Sequence, residues 1–392
     1  LVFFGFLSKA RRFFIHDFQA IEANMFMVKP TVLFFFLFLF LSREAWSWGF
    51  FAHQRINRLA VFCLPEPMAG FFKRNIVYLT ENAVNPDRRR GVVKGEAPKH
   101  FIDIDVYGDS ALWKMPRRWQ DAVAKYTEDT LLEYGIVPWE VNKMKYQLQQ
   151  AFEKKDARAI LRIASDLGHY IADSNVPLHT TQNYNGQMTN QKGIHGFWEG
   201  RLPELFSDKY DYFVGQAAYE RQILTRSWSG VIAAHSALDS VLVFERDLNQ
   251  RWPADKKYSF ELRGNVTTQV YSREYSKAYH QMLGQQVERR MRASIRQIAD
   301  FWYTAWVDAG QPNLEDLIDF RFSEEDLRLM EEERKSWQLK TIQVRPEESA
   351  SITTEELLYG TCCNHDHSDK DAHSTQGKIP DPFFGSPLQH GH

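Results

Sequence analysis

Asp166-Leu-Gly-His169-Tyr-Ile-Ala-Asp173 sets a histidine and an aspartate four residues apart. On a helix, side chains at that spacing stand one turn apart on one face and can share a metal ion. Val176-Pro177-Leu178-His179 then stops the helix and presents another imidazole, and His195-Gly-Phe-Trp-Glu199 repeats the i, i+4 pair. Upstream, Asn85-Pro86-Asp87-Arg88-Arg89-Arg90 offers a loop carboxylate, and Lys99-His100-Phe101-Ile102-Asp103 a further histidine. With His53, five of the seven histidines between 48 and 311 belong to this set; His235 and His280 do not. Each piece alone has a plainer reading. A His and an acid four apart form a surface pair worth a few tenths of a kcal/mol, Asp87 is a turn residue after Pro86, and His100 is a polar residue at a strand edge. Together, imidazole and carboxylate ligands suit zinc, and several such sites in one helical domain suggest a cluster. There is no HExxH, which disfavours a zincin-type peptidase.

Trp48 adds a ligand of another kind. It follows Ala45-Trp46-Ser47, a small-x-small signal-peptidase site, and precedes His53 by five residues. Cleavage after Ser47 would turn its amide nitrogen into a free amine. The amine and carbonyl of one residue chelate a metal, so processing itself would complete a site. The targeting pattern supports cleavage: Met25 or Met27 as start, Lys29 as the positive region, and Val32 to Leu41 as ten apolar residues. That run falls short of the about 20 residues that span a bilayer and matches a signal-peptide core. An uncleaved anchor is the alternative, against which Ala45 and Ser47 are well placed for cleavage. No Cys follows the cut, which disfavours a lipid-anchored lipoprotein. Residues 1–24 read as an over-extended gene start and 25–47 as the signal peptide, with no membrane span expected after processing.

The elements that must carry these groups read as helices. His53, Ile56, Ala60 and Leu64 fall on one face, and Pro65 and Pro67 end that segment. Residues 117–133, 139–154 and 156–173 each have helical period, with Gly135 and Pro138 marking a break. Residues 220–249 read as one long helix and 272–308 as another, striped by Met291, Ile295, Ile298, Trp302 and Trp306. Only His100 to Val106 alternates like a strand. The fold class is therefore all-α, with one compact domain over 48–311. A charged helical extension follows over 312–344, with its helix at 323–338. A tail over 345–392 holds too little apolar surface for a core. Its five histidines (His365, His367, His373, His390, His392) read either as metal scavengers or, more simply, as part of a solvated disordered tail.

Removing residues 1–47 leaves 43 basic and 47 acidic side chains. That balance argues against a sequence-specific nucleic-acid binder built on a broad basic face. It leaves open a nuclease whose phosphate grip comes from metal. Cys63, Cys362 and Cys363 make no disulfide framework despite the exported context; Cys63 reads as a buried helix residue, and the other two lie in the polar tail.

The mature N-terminal Trp48, the order Asp87, His100, His169-x-x-x-Asp173, His179, and the closing His195-x-x-x-Glu199 give residues 48–310 a resemblance to a known superfamily. It comprises bacterial zinc-dependent phospholipase C and the single-strand-specific nucleases of fungi and plants. The resemblance implies three zinc ions in one helical domain. One would be held by Asp87, His100, His169 and Asp173. A second would take the Trp48 amine and carbonyl, His53 and the bridging Asp173. A third, more exposed, would take His179, His195 and Glu199. It further implies a hydroxide bridging the inner ions, since zinc lowers the pKa of bound water from about 15.7 to about 7, and in-line attack on phosphorus. The third ion would hold the phosphate or leaving alkoxide. Asp87 would orient the nucleophile or accept its proton, and Arg90 would contact phosphate as in the nuclease branch. Arg88 and Arg89 read as solvated charges, and Asp103 either as a partner holding His100 or as a surface residue.

Substrate signs are mixed. Glu199 and the sixteen-residue step from His179 to His195 are nearer the phospholipases, whereas the five-residue step from Trp48 to His53 matches the nucleases. Tyr184, Phe197 and Trp198 would stack a base or cage a choline, or else pack in the core. The expectation is an exported, periplasmic or secreted, phospholipase C-like phosphodiesterase acting on phospholipid or another phosphodiester. A nuclease or 3'-nucleotidase acting on single-stranded nucleic acid is the alternative, and a non-catalytic zinc protein comes third. The tail past 311 has no counterpart in that superfamily.

Overall fold

The computed structural model describes residues 49–339. Trp48, the targeting segment, Cys362, Cys363 and the five tail histidines lie outside the described residues. The chain is mostly helical, as its periodicity requires. The elements that matter for the site are α1 (Gly49–Ala60), α2 (Asn85–Arg90), α3 (Val137–Glu153), α4 (Ala157–Asp173), α5 (Ile223–His235) and α6 (Leu238–Arg251). A hairpin of β1 (Tyr258–Arg263) and β2 (Val266–Tyr271) follows, then α7 (Arg273–Leu283), α8 (Gln286–Asp308) and α9 (Glu324–Leu339).

At the centre is α4. Asp156 caps it by accepting from the Ala159 N–H at 3.0 Å, and Pro177 lies just past its end, where no helical N–H is needed. From Ala164 to Asp173 every residue is buried, so this helix is surrounded by its neighbours rather than lying on the surface. Helices α3, α4 and α8 pack around Trp302, whose indole N–H donates to the Ala164 carbonyl at 3.1 Å. Phe72 lies 5.2 Å from the Trp302 ring, and Trp139 meets Trp228 edge-on at 5.1 Å.

Three expected helices are interrupted. The 117–133 stretch divides at Thr127 (φ 69°) into Trp119–Tyr126 and Glu128–Tyr134, with the Thr127 hydroxyl capping the second piece. The 220–249 helix breaks at Ser236–Ala237. The 272–308 helix breaks at Gly284 and Gln285, both left-handed, a frequent way for a helix to end at glycine. In each case the apolar stripe runs on through a local break that periodicity does not register. His100–Val106 is not a strand but two tight turns, Ala97–His100 and Ile104–Tyr107. The hairpin lies instead at 258–271, in register Tyr258↔Tyr271 to Arg263↔Val266, with Gly264-Asn265 as its two-residue loop.

Ile223–Arg251 is long and apolar enough, by length and composition only, to cross a membrane. It buries Trp228, Val231, Ala234, Leu238, Val241 and Leu248 inside the fold. Beyond 311 the chain packs back on the domain: Leu314 is buried, Phe322 stacks on Tyr78 at 4.7 Å, and Arg158 pairs with Asp326 at 2.7 Å. Cys63 is buried, as expected, though in a tight turn after α1.

Candidate metal centre

His169 and Asp173 stand one turn apart on α4 and face Asp87 from α2 and His100 from the 97–100 turn. His169 Nε2 lies 3.1 Å from His100 Nδ1, 3.1 Å from Asp173 Oδ2 and 3.4 Å from Asp87 Oδ1. His100 Nδ1 lies 3.0 Å from Asp173 Oδ2 and 3.6 Å from Asp87 Oδ1. A tetrahedral ion with bonds of about 2.0–2.1 Å sets its ligand atoms roughly 3.3–3.4 Å apart, and these separations bracket that value. The other oxygen of Asp173 faces elsewhere: Oδ1 is 3.1 Å from His53 Nε2 and 3.9 Å from His179 Nε2. Asp173 thus presents one oxygen to each of two groups, and His53, His169 and Asp173 form a second possible metal-holding set.

His53 reaches this position because α4 lacks a side chain at Gly168. A Cβ there would lie 2.1 Å from Asn57 Oδ1 of α1. The close approach lets the His53 and His169 rings stack at 3.9 Å. Gly135 does similar service for His100: its backbone (φ 92°) comes so near the Phe101 carbonyl that a Cβ would meet the oxygen at 2.2 Å. Backbone bonds from Ile136 N to Pro98 O and from Val137 N to Phe101 O pin the His100 turn against the start of α3.

The remaining set is His179, His195 and Glu199. His179 Nε2 and His195 Nε2 are 3.2 Å apart, and Glu199 Oε2 lies 3.4 and 3.3 Å from them. His195 opens a π-helical turn, Gly196–Arg201, a distortion often found at functional sites. Each ring is oriented through its other nitrogen by a backbone carbonyl. His179 Nδ1 donates to His100 O at 2.6 Å, His195 Nδ1 to Tyr184 O at 3.0 Å, and His169 Nδ1 to Ala83 O at 2.8 Å. A neutral ring held that way turns the Nε2 lone pair inward. Two lone pairs and a carboxylate converging at 3.2–3.4 Å repel one another and suit a cation between them. Ile102 N also donates to His179 O at 2.9 Å, so the peptides carrying His100 and His179 hold each other.

The electrostatics follow from burial and crowding. Burial alone would raise the carboxyls of Asp87, Asp173 and Glu199, but the facing imidazoles outweigh it. Asp87 and Asp173 are held well below the usual carboxylate range, and Glu199 is lowered to about 2. Burial pushes His100 down to about 4, with the Arg90 charge adding to it. Burial also opposes the charge on His169, yet Asp173 and Asp87 hold that imidazole well above its ordinary value. His53 Nδ1 and His100 Nε2 are buried without hydrogen-bond partners among the described residues, a cost of about 1–3 kcal/mol each.

The arginine run divides three ways. Arg90 is buried, its guanidinium 6.0 Å from the Phe101 ring, while Arg88 lies exposed over the Phe50 ring. Arg89 is not the solvated charge expected of it. It bonds Glu96 at 2.9 Å, Asp166 at 3.0 Å and the Tyr170 hydroxyl at 3.0 Å, tying α2 to α4. Asp103 is buried rather than on the surface, and His100 Nε2 has no hydrogen-bond partner among the described residues. Phe197 is core: it stacks on Tyr271 at 3.8 Å and Tyr279 at 4.9 Å. Trp198 is nearly buried and donates to Gln286 Oε1 at 3.0 Å. Tyr184 contributes its carbonyl to His195. The three carbonyls, the Arg89 network and Gly168 escaped sequence reasoning. Carbonyls carry no residue signature, and Arg89's partners are remote in sequence.

A scan against protein-family models and a search of curated proteins find no match for this chain.

Proposed function

We propose that this protein is an exported zinc-dependent phosphodiesterase of the phospholipase C-like kind, holding three ions. The observation that supports it is the convergence of imidazole and carboxylate atoms at 3.0–3.6 Å in one set and 3.2–3.4 Å in another, with Asp173 presenting an oxygen to two sets. Structural zinc sites are closed, four-coordinate and commonly Cys-rich; these sets contain no cysteine and share a carboxylate. Zinc bound there supplies an activated water at neutral pH and charge neutralisation for a phosphoryl group.

The chain's own residues do the rest. Asp87 is the most exposed ligand of the first set, with 20 % of its side chain accessible, so it stands where substrate would approach. A carboxylate held so far below its usual range is a ligand and hydrogen-bond acceptor, and a poor proton acceptor. Arg90 lies close enough to depress His100 and supplies positive charge beside the first set. The Trp48 amine is proposed to complete the set of His53 and Asp173. Equal zinc content and equal activity in a protein beginning Met-Trp48 would sink that part.

The test is hydrolysis of a chromogenic phosphodiester by the zinc-loaded protein, with no turnover above an Asp87→Asn control as the defeating result. Arg90 beside the first set favours the nuclease as second reading. Phosphatidylcholine vesicles and single-stranded DNA, assayed in parallel at equal protein, separate the two; cutting of DNA alone overturns the phospholipase preference.

A further inference from the structure

We propose that the cavity between α1, the π-turn and α8 binds a phosphate ester bearing a hydrocarbon substituent, and that Arg290 grips its phosphate. The proposal rests on the phosphodiesterase reading for the meaning of the cavity's metal end, and deepens it by naming a residue and a substituent chemistry.

The cavity is a small cleft, partly open to solvent. Its polar end is formed by His53 and Glu199, one residue from each of two metal-holding sets. Its walls are apolar: Ala52, Ile56, Val176, Val287, Met291 and the Trp198 ring. The polar side chains in the wall spend their donors inside the fold. Trp198 donates to Gln286 at 3.0 Å, Asn175 to Ile171 O at 2.9 Å and Gln297 at 3.2 Å, and Ser294 to Arg290 O at 3.0 Å. A nucleobase edge would find those donors taken, whereas a hydrocarbon chain asks for none.

Arg290 is the cation of this cavity. Its guanidinium has no ion-pair or hydrogen-bond partner among the described residues, and Nη1 is buried without an acceptor. Its neighbours on α8 are provided for: Arg292 pairs with Asp211 at 3.0 Å and Arg296 with Asp300 at 2.8 Å. Burial accordingly lowers Arg290, with Arg289 adding to the effect. The one carboxylate in the cavity, Glu199, is turned to His179 and His195 instead. A guanidinium so placed matches the two oxygens of a phosphate. In a cavity this small, the phosphate would reach from Arg290 toward the metal end while its substituent lies along the apolar wall.

The test is calorimetric titration of the zinc-loaded protein with inorganic phosphate, butyl phosphate and hexyl phosphate, repeated with Arg290→Met and Arg290→Lys. Wild type is expected to gain about fourfold in affinity per added methylene that is buried. Arg290→Met is expected to lose about tenfold to hundredfold for all three ligands, with unchanged zinc content and no loss in urea midpoint. A merely structural arginine would lower that midpoint. Arg290→Lys, a point charge without the planar fork, is expected to fall between them. Equal affinities in wild type and Arg290→Met, or no dependence on chain length, overturn the proposal. Turnover of the chromogenic diester is read on the same samples. Binding through Arg290 without turnover leaves the site standing and removes the catalytic reading. Turnover with KM and ester affinity indifferent to Arg290→Met does the reverse.

Discussion

Replacing Gly168 by alanine is the sharpest single test of how the candidate metal centre is built. Helix propensity alone predicts a gain of up to about 1 kcal/mol. The structure predicts the opposite. The new Cβ would sit 2.1 Å from Asn57 Oδ1, whereas real Cβ atoms essentially never come within 3.0 Å of a neighbour, so nearly 1 Å must be found. Asn57 is almost fully buried and its Nδ2 donates to Ser165 O at 3.0 Å, so it cannot swing aside. Overpacking costs about 1–3 kcal/mol and a broken buried amide bond about 1–3 kcal/mol. Net destabilisation of about 1–5 kcal/mol is expected. His53 lies one turn before Asn57 on α1, so pushing Asn57 out also lifts His53 from its 3.9 Å stack on His169. Urea unfolding should show a lower midpoint at unchanged slope, and zinc analysis a deficit at the His53 set. Adding Asn57→Ala makes room, so Gly168→Ala should cost less in that background, by at least about 1 kcal/mol. A Gly168→Ala protein with a higher midpoint and full zinc would refute the reasoning.

Arg89→Met should destabilise by about 2–4 kcal/mol, because it leaves Asp166 buried without its ion-pair partner and Glu96 with Lys99 alone. Loosening α2 should also cut affinity at the Asp87 set about 10- to 100-fold, read by chelator competition. Glu199→Gln should remove one ion and leave the others, read by metal stoichiometry; loss of all ions would contradict separate sets. With metal stripped, stability should peak near pH 6.5. Below that, an unfolded chain binds the His100 proton that the fold refuses until about 4. At lower pH the depressed Asp87, Asp173 and Glu199 lose their contribution as they take up protons, Glu199 at about 2. Above 6.5, the raised His169 loses its contribution as pH climbs through its elevated value. Urea midpoints measured across pH check this, and a monotonic profile would contradict it.

The candidate ligands His53, Asp87, His100, His169, Asp173, His179, His195 and Glu199 were legible because residue type, order and, for two pairs, i, i+4 spacing survive in one dimension. What orients them was not, since any residue can offer the carbonyls of Ala83, His100 and Tyr184. The helix breaks at Thr127 and Gly284 were hidden because the apolar stripe continues on both sides. The hairpin had a signal, Gly264-Asn265 between β-rich runs, that a helical reading of the chain passed over. Arg89 and Arg290 both stand in charge runs that look solvated in one dimension. Only the fold shows that Arg89 has Glu96 and Asp166, and that Arg290 has neither acid nor acceptor among the described residues.

Asp173 turns one oxygen to His100 and His169 and the other to His53. Two neighbouring sites that draw on one carboxylate are thermodynamically coupled. A cation in either fixes the carboxylate plane for the other, while also withdrawing its negative charge. The first effect makes the second ion bind more tightly and the second makes it bind more weakly, so their balance sets the order of filling. The His179 set has a carboxylate of its own in Glu199 and meets Asp173 only at 3.9 Å, through His179 Nε2, so its link to the pair is weaker. Metal uptake should therefore resolve into one strongly linked pair and one weakly linked step, and a change confined to Asp173 should alter the pair more than the third.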